Sequence, residues 1–385
     1  MRLASHPLWL VGFRPFFMLA CLAGVVLPVA WALVFAGWLP APDSRYTSVQ
    51  WHAHEMFFGF GWAVLGGFLL TSTKNWVNIR GYHGPALMLL AAAWLVERWA
   101  MAFGGGWPTW LFVPAAGLFL GTIAALLAWT LIRHRATDSY RDNLLFIVML
   151  PAFLYAKYQL LAGDFAAGHG MALALFRLAF LVMLERTLTQ FMKAAFQVAI
   201  LRNARLDMAI KLLGLVLVGE FALPPAFTAA IALALAALLG IRFFFWQPRL
   251  AFTRIDIGIM YVGYLAIAGQ LLVEALGHIT DFVWVGSVSV HLFSFGAMGC
   301  VIPAMIVRIA KGHTGRKVVF DAADRAVLYV MLGALAIRVL LPQVFPGAYL
   351  LWIGLAAAGW ALAFGTLAWR YIPLLMRPRI DGREH

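Results

Sequence analysis

Apolar runs of membrane length, broken by short polar punctuation, repeat along all 385 residues of the chain. A bilayer core of about 30 Å takes roughly 20 apolar residues per helix. Reading proline, glycine and charge against that length predicts twelve spans, at about 15–38, 52–73, 84–103, 109–132, 142–162, 169–192, 206–222, 225–246, 256–277, 284–309, 324–341 and 348–371. Only Pro224-Pro225 separates the seventh from the eighth. The expected fold is all-α, a polytopic membrane domain covering residues 1–385 with no separate soluble domain.

The connections sort by charge. The even-numbered ones carry Lys74 and Arg80; Arg133, Arg135 and Arg141; Arg202, Arg205 and Lys211; Arg242, Arg249 and Arg254; and Arg308, Lys311, Arg316 and Lys317. Both ends are basic as well, with Arg2 and Arg14, then Arg370, Arg377, Arg379 and Arg383, whereas the odd-numbered connections hold only Arg45. Lys/Arg excess marks the cytoplasmic side, so both termini are expected inside and the number of spans even. Tryptophans near span ends, such as Trp38, Trp76, Trp107 and Trp369, fit interfacial anchoring.

Composition agrees. The chain is 64% hydrophobic and 12% charged, against about 45–50% and 25% in soluble domains. The net charge of +13 belongs to the inner loops, and no soluble basic domain offers a surface for nucleic acid. Cys21 and Cys300 fall in apolar runs and read as buried small hydrophobes, not a disulfide framework. The first run follows Arg2 to Arg14 with no small-residue cleavage site before it.

Candidate chemistry starts at Trp51-His52-Ala53-His54-Glu55-Met56, where two histidines and a carboxylate enter an apolar run. Ionisable residues in a bilayer are costly and mark function, and imidazole is the commonest metal ligand. By this topology His291 lies about seven residues into the tenth span, roughly 10 Å deep at 1.5 Å per residue, and His54 a few residues into the second. Both fall in the outer third, where one cofactor can touch both. His54-x-x-x-Phe58-Gly59 and His291-x-x-x-Phe295-Gly296 share one spacing. With Gly61 and Gly299 nearby, these small residues either leave room for a flat ring or allow close helix packing. His52 and His54 are about 200° apart on a helix, so at most one faces a given ligand, and His54 is favoured. Glu55 is a candidate to fix a ligand's tautomer or to relay a proton.

Arg98, Lys157 and Arg338 sit in outer halves and Arg177 near a span's middle, against the positive-inside tendency. Two compensations stand side by side. One is ion pairing with Glu97, Glu220 and Glu274; the other is an anionic cofactor such as haem with its two propionates. Copper suits imidazole too, although no Cys-rich or Met-rich motif occurs. No P-loop, dinucleotide fingerprint or Gly-x-Ser-x-Gly elbow is present. Gly312-His313-Thr314-Gly315-Arg316 reads as a helix C-terminus, with an anion-binding turn or a ligand role for His313 as alternatives.

Four blocks resemble the NnrS family of bacterial inner-membrane proteins: Gly12-Phe13-Arg14-Pro15-Phe16-Phe17; Trp51 to Phe60; Gly67-Phe68-Leu69-Leu70-Thr71 with Asn75-Trp76; and His291 with Gly296-Ala297-Met298-Gly299, continuing to Arg308 and the His313 turn. The resemblance implies a multi-pass protein of the bacterial inner (cytoplasmic) membrane that contains haem and copper and is linked to nitric oxide and denitrification. One departure lies in the sixth span. The family pattern there is Gly-Arg followed by a Pro-Phe-Thr-like segment, whereas this chain reads Glu185-Arg186-Thr187-Leu188-Thr189-Gln190-Phe191.

The leading expectation is haem b between spans 2 and 10, ligated by His54 or His52 and by His291, with Arg98, Lys157, Arg177 and Arg338 balancing propionates. The expected ligand is nitric oxide or a related diatomic, which reaches a buried iron through the membrane lipid. An open iron position implies redox activity on nitric oxide with Glu55 as proton relay; a filled one implies electron transfer. Either needs an electron donor outside the chain. The rival class is a transporter or proton-coupled permease using Glu97, Arg98, Lys157, Glu220 and Glu274.

Overall fold

The structure is a computed structural model that describes residues 3–383; Arg2 and His385 lie outside the described residues. Among those residues there is no strand, and eleven helices are long and apolar enough to cross a membrane. The chain is therefore a multi-pass α-helical membrane protein. With one shorter element, the helices in order are α1 Phe13–Phe35, α2 Ser48–Trp76, α3 Pro85–Phe103, α4 Thr109–Arg133, α5 Arg141–Ala162, α6 Phe165–Phe196, α7 Ala204–Val216, α8 Pro225–Phe245, α9 Ile255–Ile279, α10 Val288–Gly312, α11 Ala322–Val344 and α12 Pro346–Leu375.

The element that differs is the predicted seventh span. Asn203 caps α7 by accepting from the amides of Arg205 and Leu206. The helix stops at Val216 and tightens into a 3-10 turn over Leu217–Ala222, where Gly219 has non-helical angles (φ −97°, ψ 20°). Pro225 then starts α8 at its first position, where the missing N–H costs nothing. A 3-10 segment rises faster than an α-helix, so the broken rod still extends about 30 Å.

Helix starts also shift the depth of the histidines. The expected start of the second span, residue 52, overlooked a capping box. Thr47 accepts from the Gln50 amide and the Gln50 side chain accepts from the Thr47 amide, so α2 begins at Ser48. His54 closes the first 7 residues of the helix. The tenth span starts later than residue 284. Gly286 sits at φ +74° with Tyr349 packed where a Cβ would stand, and Gln343 hydrogen-bonds both the amide and the carbonyl of Val285. His291 is thus only the last of the 4 residues Val288–His291 that open α10. His54 thus lies further along its helix than His291 does along its own.

The chain divides into two compact units, Met1–His169 with Ile306–Val319 and Phe364–His385, and Gly170–Met305 with Phe320–Ala363. In the first, α1 and α2 meet through glycine. A Cβ on Gly12 would lie 2.4 Å from the Leu70 Cβ, and one on Gly67 would lie 2.7 Å from the Phe16 Cβ. The Phe13 amide donates to Thr71 Oγ1 at 2.8 Å. Arg14 is fully buried and donates to the carbonyls of Leu375 and Arg377 at 2.8 and 2.7 Å, tying α1 to the end of α12. In the second, Tyr264 and Tyr261 of α9 donate to the carbonyls of Leu239 and Trp246. A Cβ on Gly296 would lie 2.4 Å from Ala266, and one on Gly299 would lie 2.7 Å from Met331. Those glycines serve close packing. Cys21 and Cys300 are buried free thiols.

A crossing by α7 and its 3-10 extension makes twelve passes and leaves both termini on one face. Single cysteines replacing Asn203 and Ala222 should then label with a membrane-impermeant maleimide from opposite sides. Labelling of both from one side would make eleven passes and place the termini on opposite faces.

Candidate functional site

Two histidines stand at matching places, each at the start of a seven-residue π-helical stretch. His54 precedes Glu55–Gly61 and His291 precedes Leu292–Met298. π-Helical turns are rare and concentrate at functional sites. Each histidine lies beside the aromatic four residues on, His54 over Phe58 at 5.5 Å and His291 over Phe295 at 6.2 Å between ring centroids. In each the Nδ1 atom is engaged, by Glu55 Oε1 at 3.0 Å for His54 and by the Ser287 carbonyl at 2.7 Å for His291. Such contacts fix the tautomer and leave Nε2 as the basic nitrogen.

Their surroundings differ. His54, in the first unit, is fully buried, and its Nε2 has no hydrogen-bond partner; Glu97 Oε1 is 3.8 Å away. Glu97, also fully buried, is the hub. Its Oε1 accepts from Arg98 Nη2 at 2.7 Å and from Lys157 Nζ at 2.6 Å, and its Oε2 accepts from the amides of Phe119 and Leu120 at 3.0 and 3.4 Å. Lys157 also donates to the Ala116 carbonyl. Arg98 Nε lies 3.1 Å from Glu55 Oε2, close enough for an ion pair although its N–H is not aligned for a hydrogen bond. Two carboxylates thus face two cations. Gly59 makes room for them, since a Cβ there would lie 2.7 Å from Arg98 Nη1 and 3.2 Å from Glu55 Oε2. Its carbonyl accepts from Trp94 Nε1 at 3.0 Å.

His291, in the second unit, is half-buried, and Arg338 Nη2 is 3.3 Å from each of its ring nitrogens. Arg338 is itself buried and lies 5.7 Å from the centre of the Tyr349 ring. Arg177, of the same unit, donates to Gln270 Oε1 at 2.9 Å and Glu274 Oε2 at 2.8 Å, and Gln270 donates to Ser289 Oγ at 3.0 Å.

The structure therefore brings His54, Glu55, Arg98 and Lys157 together, and separately His291 with Arg338. His52 turns the other way and stacks on Trp31, with centroids 4.3 Å apart and planes at 11°. His313 packs against Phe13 at 5.2 Å. Two acids act as hubs in a way that residue types did not single out. Glu97 was one of several acidic candidates, and only its spacing from Lys157 across two helices singles it out. Glu185 stood out as a departure from a pattern. In the structure it pairs with Arg202, with Lys211 at 2.8 Å and with Arg242 at 3.7 Å.

These donor sets do not fit a copper ion. No three His, Cys, Asp or Glu side chains among the described residues are placed to share a metal ion. The bare His54 nitrogen faces a carboxylate already held by two cations. Haem asks less of the chain, because one imidazole holds its iron. His291 has its Nδ1 pinned, with Arg338 Nη2 3.3 Å from its Nε2, and His54 Nε2 has Glu97 at 3.8 Å, so a porphyrin at either nitrogen requires the facing side chain to move.

A family model described as NnrS protein matches residues 7–379, nearly the whole chain. No curated protein matches it.

Breaking the first cluster at its hub should be costly. Glu97→Gln should lower unfolding free energy in detergent by about 3–5 kcal/mol, the usual penalty for a buried charge that loses its partner. Adding Lys157→Met should restore part of it. A single variant as stable as the wild type would remove Glu97 from its place as hub. Gly59→Ala should destabilise in the same assay through the displaced guanidinium of Arg98.

Proposed function

The chain belongs to the NnrS family, and we propose that it is a haem b membrane protein of the nitric oxide response that binds nitric oxide or a related diatomic. Its place is the bacterial inner membrane, with both termini cytoplasmic. The observation that carries this reading is the 2.7 Å contact of His291 Nδ1 with the Ser287 carbonyl, which makes Nε2 the basic nitrogen; Arg338 Nη2, 3.3 Å from Nε2, would have to swing away for iron to bind there. Arg338 would meet a propionate. A haem held by His291 would supply one-electron chemistry and diatomic binding. The residues around it orient the imidazole and balance charge, and π-helical winding after His291 sets the ring's direction. An external electron donor is needed for any turnover. Glu55 holds the His54 ring in this reading, and the first cluster is a scaffold without copper.

Purified protein from haem-replete cells should show a Soret band. His291→Ala should lose it, and His54→Ala should keep it in whatever fraction folds. Anaerobic nitric oxide added to the reduced protein should shift the band. A colourless wild-type preparation would sink the haem assignment, and a band that His54→Ala alone abolishes would move the ligand to His54.

The broken rod favours a second reading, a proton-coupled transporter. Glu220 lies in the 3-10 turn beside non-helical Gly219, and discontinuous helices carry substrate and ion sites in transporters. Uptake into proteoliposomes by haem-free protein, lost in Glu220→Gln, would select it.

A further inference from the structure

Two carboxyls of the second unit play no part in haem binding. The 3-10 turn Leu217–Ala222 carries Glu220. Gly170 of α6 makes room for it, since a Cβ there would stand 2.6 Å from Glu220 Oε1. Glu220 also meets Glu274 of α9, and the two carboxyls hydrogen-bond each other. Among the described residues no N–H or O–H reaches Glu220 Oε2 or Glu274 Oε1, and both oxygens are buried.

An ionised carboxylate only accepts hydrogen bonds. Two carboxyls therefore bond each other only when one carries a proton. The charge balance asks for the same proton. Arg177 of α6, fully buried, donates to Glu274 Oε2 at 2.8 Å and to Gln270 Oε1 at 2.9 Å, and its charge also attracts Glu220. Its Nε and Nη2 have no hydrogen-bond partner, so no further acid claims them. Two carboxylates against one guanidinium leave a net negative charge at apolar spans, which is costly. Like charges in contact do not both ionise, and one shared proton cancels the excess.

The other neighbours are neutral or turned away. Gln270 donates to Glu274 Oε2 and, at 3.0 Å, to Ser289 Oγ of α10. Helix α8, which follows the turn, has no ionisable residue before Arg242. His169, next to Gly170 in the chain, packs on Phe57 and Phe165. His278, one turn past Glu274, is exposed.

We propose that Glu220 and Glu274 form a proton-binding site, with one proton held between Glu220 Oε2 and Glu274 Oε1 at neutral pH. The proton ties the turn of the broken rod to α9. Its release sets two like charges face to face and loosens the turn beside non-helical Gly219. The site rests on this geometry and on neither haem nor transport.

The test is the infrared C=O stretch of protonated carboxyls in the full-length protein in dodecyl maltoside at neutral pH, compared in H2O and D2O. The wild type should show a band that shifts down in D2O. Glu220→Gln should lose one carboxyl's share of it, and it should fold, because the amide N–H donates to Glu274 in place of the proton. Glu274→Gln should lose the same share, with Glu220 left ionised beside Arg177, and serves if the first variant folds poorly. Asp281→Asn, which alters an exposed carboxyl, should leave the band as it is. Melting temperature against pH gives a second readout. A proton held only by the folded state stabilises it less as pH rises. The wild type should therefore lose stability towards alkaline pH relative to Glu220→Gln, which has no such proton to release. A wild type without an exchangeable band would overturn the proposal, as would a full band in folded Glu220→Gln or parallel pH profiles. A missing Soret band or absent uptake would count against the readings of function and leave this band in place.

Discussion

The first unit depends on one carboxylate. Charged groups at membrane depth are tolerated only when paired and hydrogen-bonded, and Glu97 is where that requirement is met. It collects Arg98 from its own helix, Lys157 from α5 and two amides from α4, and it faces His54 of α2. Four helices converge on two oxygens. Once this hub is fixed, smaller features follow. Gly59 has to lack a side chain because Arg98 passes it, and Trp94 can reach the Gly59 carbonyl only at that close approach.

The two histidine elements use one local grammar in different electrostatic settings. Each has a π-helical turn after the histidine, Phe at the fourth position and Gly at the fifth, with Nδ1 engaged. In the first, a carboxylate engages Nδ1 and the surrounding charges cancel. In the second, a backbone carbonyl engages Nδ1, and the neighbouring cation, Arg338, meets an imidazole and a tyrosine ring. The same element thus makes a closed core in one unit and a half-buried imidazole beside a cation in the other.

Much of the fold was legible because membrane burial writes itself in runs of apolar residues, and eleven of the twelve predicted spans stand as long helices. The exception is broken for a local reason. Apolar length across 206–222 says nothing about Gly219, whose backbone leaves the helix. The starts of the helices that carry His54 and His291 differ from expectation because they depend on short-range hydrogen bonds, the Thr47–Gln50 box and the Gln343 clasp on Val285, which hydropathy does not register. The opposed directions of His52 and His54 were legible, since helical rotation alone dictates them. The short His-x-x-x-Phe-Gly match carried more than its length suggested, because it marks a shared backbone irregularity. Glu97 was legible as a pairing acid, but its place as the meeting point of two cations and two amides was not, and neither was the Glu185 cluster. Which acid meets which base across helices is a property of packing, and no spacing along the chain encodes it.

This sorting changes how the misplaced cations bear on function. The positive-inside tendency flagged Arg98, Lys157, Arg177 and Arg338 alike, and a cofactor with two carboxylates was one common answer. Three of the four have an acidic side chain of the protein beside them: Glu97 and Glu55 for Arg98, Glu97 for Lys157 and Glu274 for Arg177. Those three satisfy the bilayer's demand without a cofactor, so their presence argues for helix packing. Arg338 is the one whose described contacts are a histidine and a tyrosine, and that histidine is the proposed haem ligand, His291. The case for an anionic cofactor therefore rests on one arginine and one histidine of the second unit, a narrower base than four cations and a more specific one.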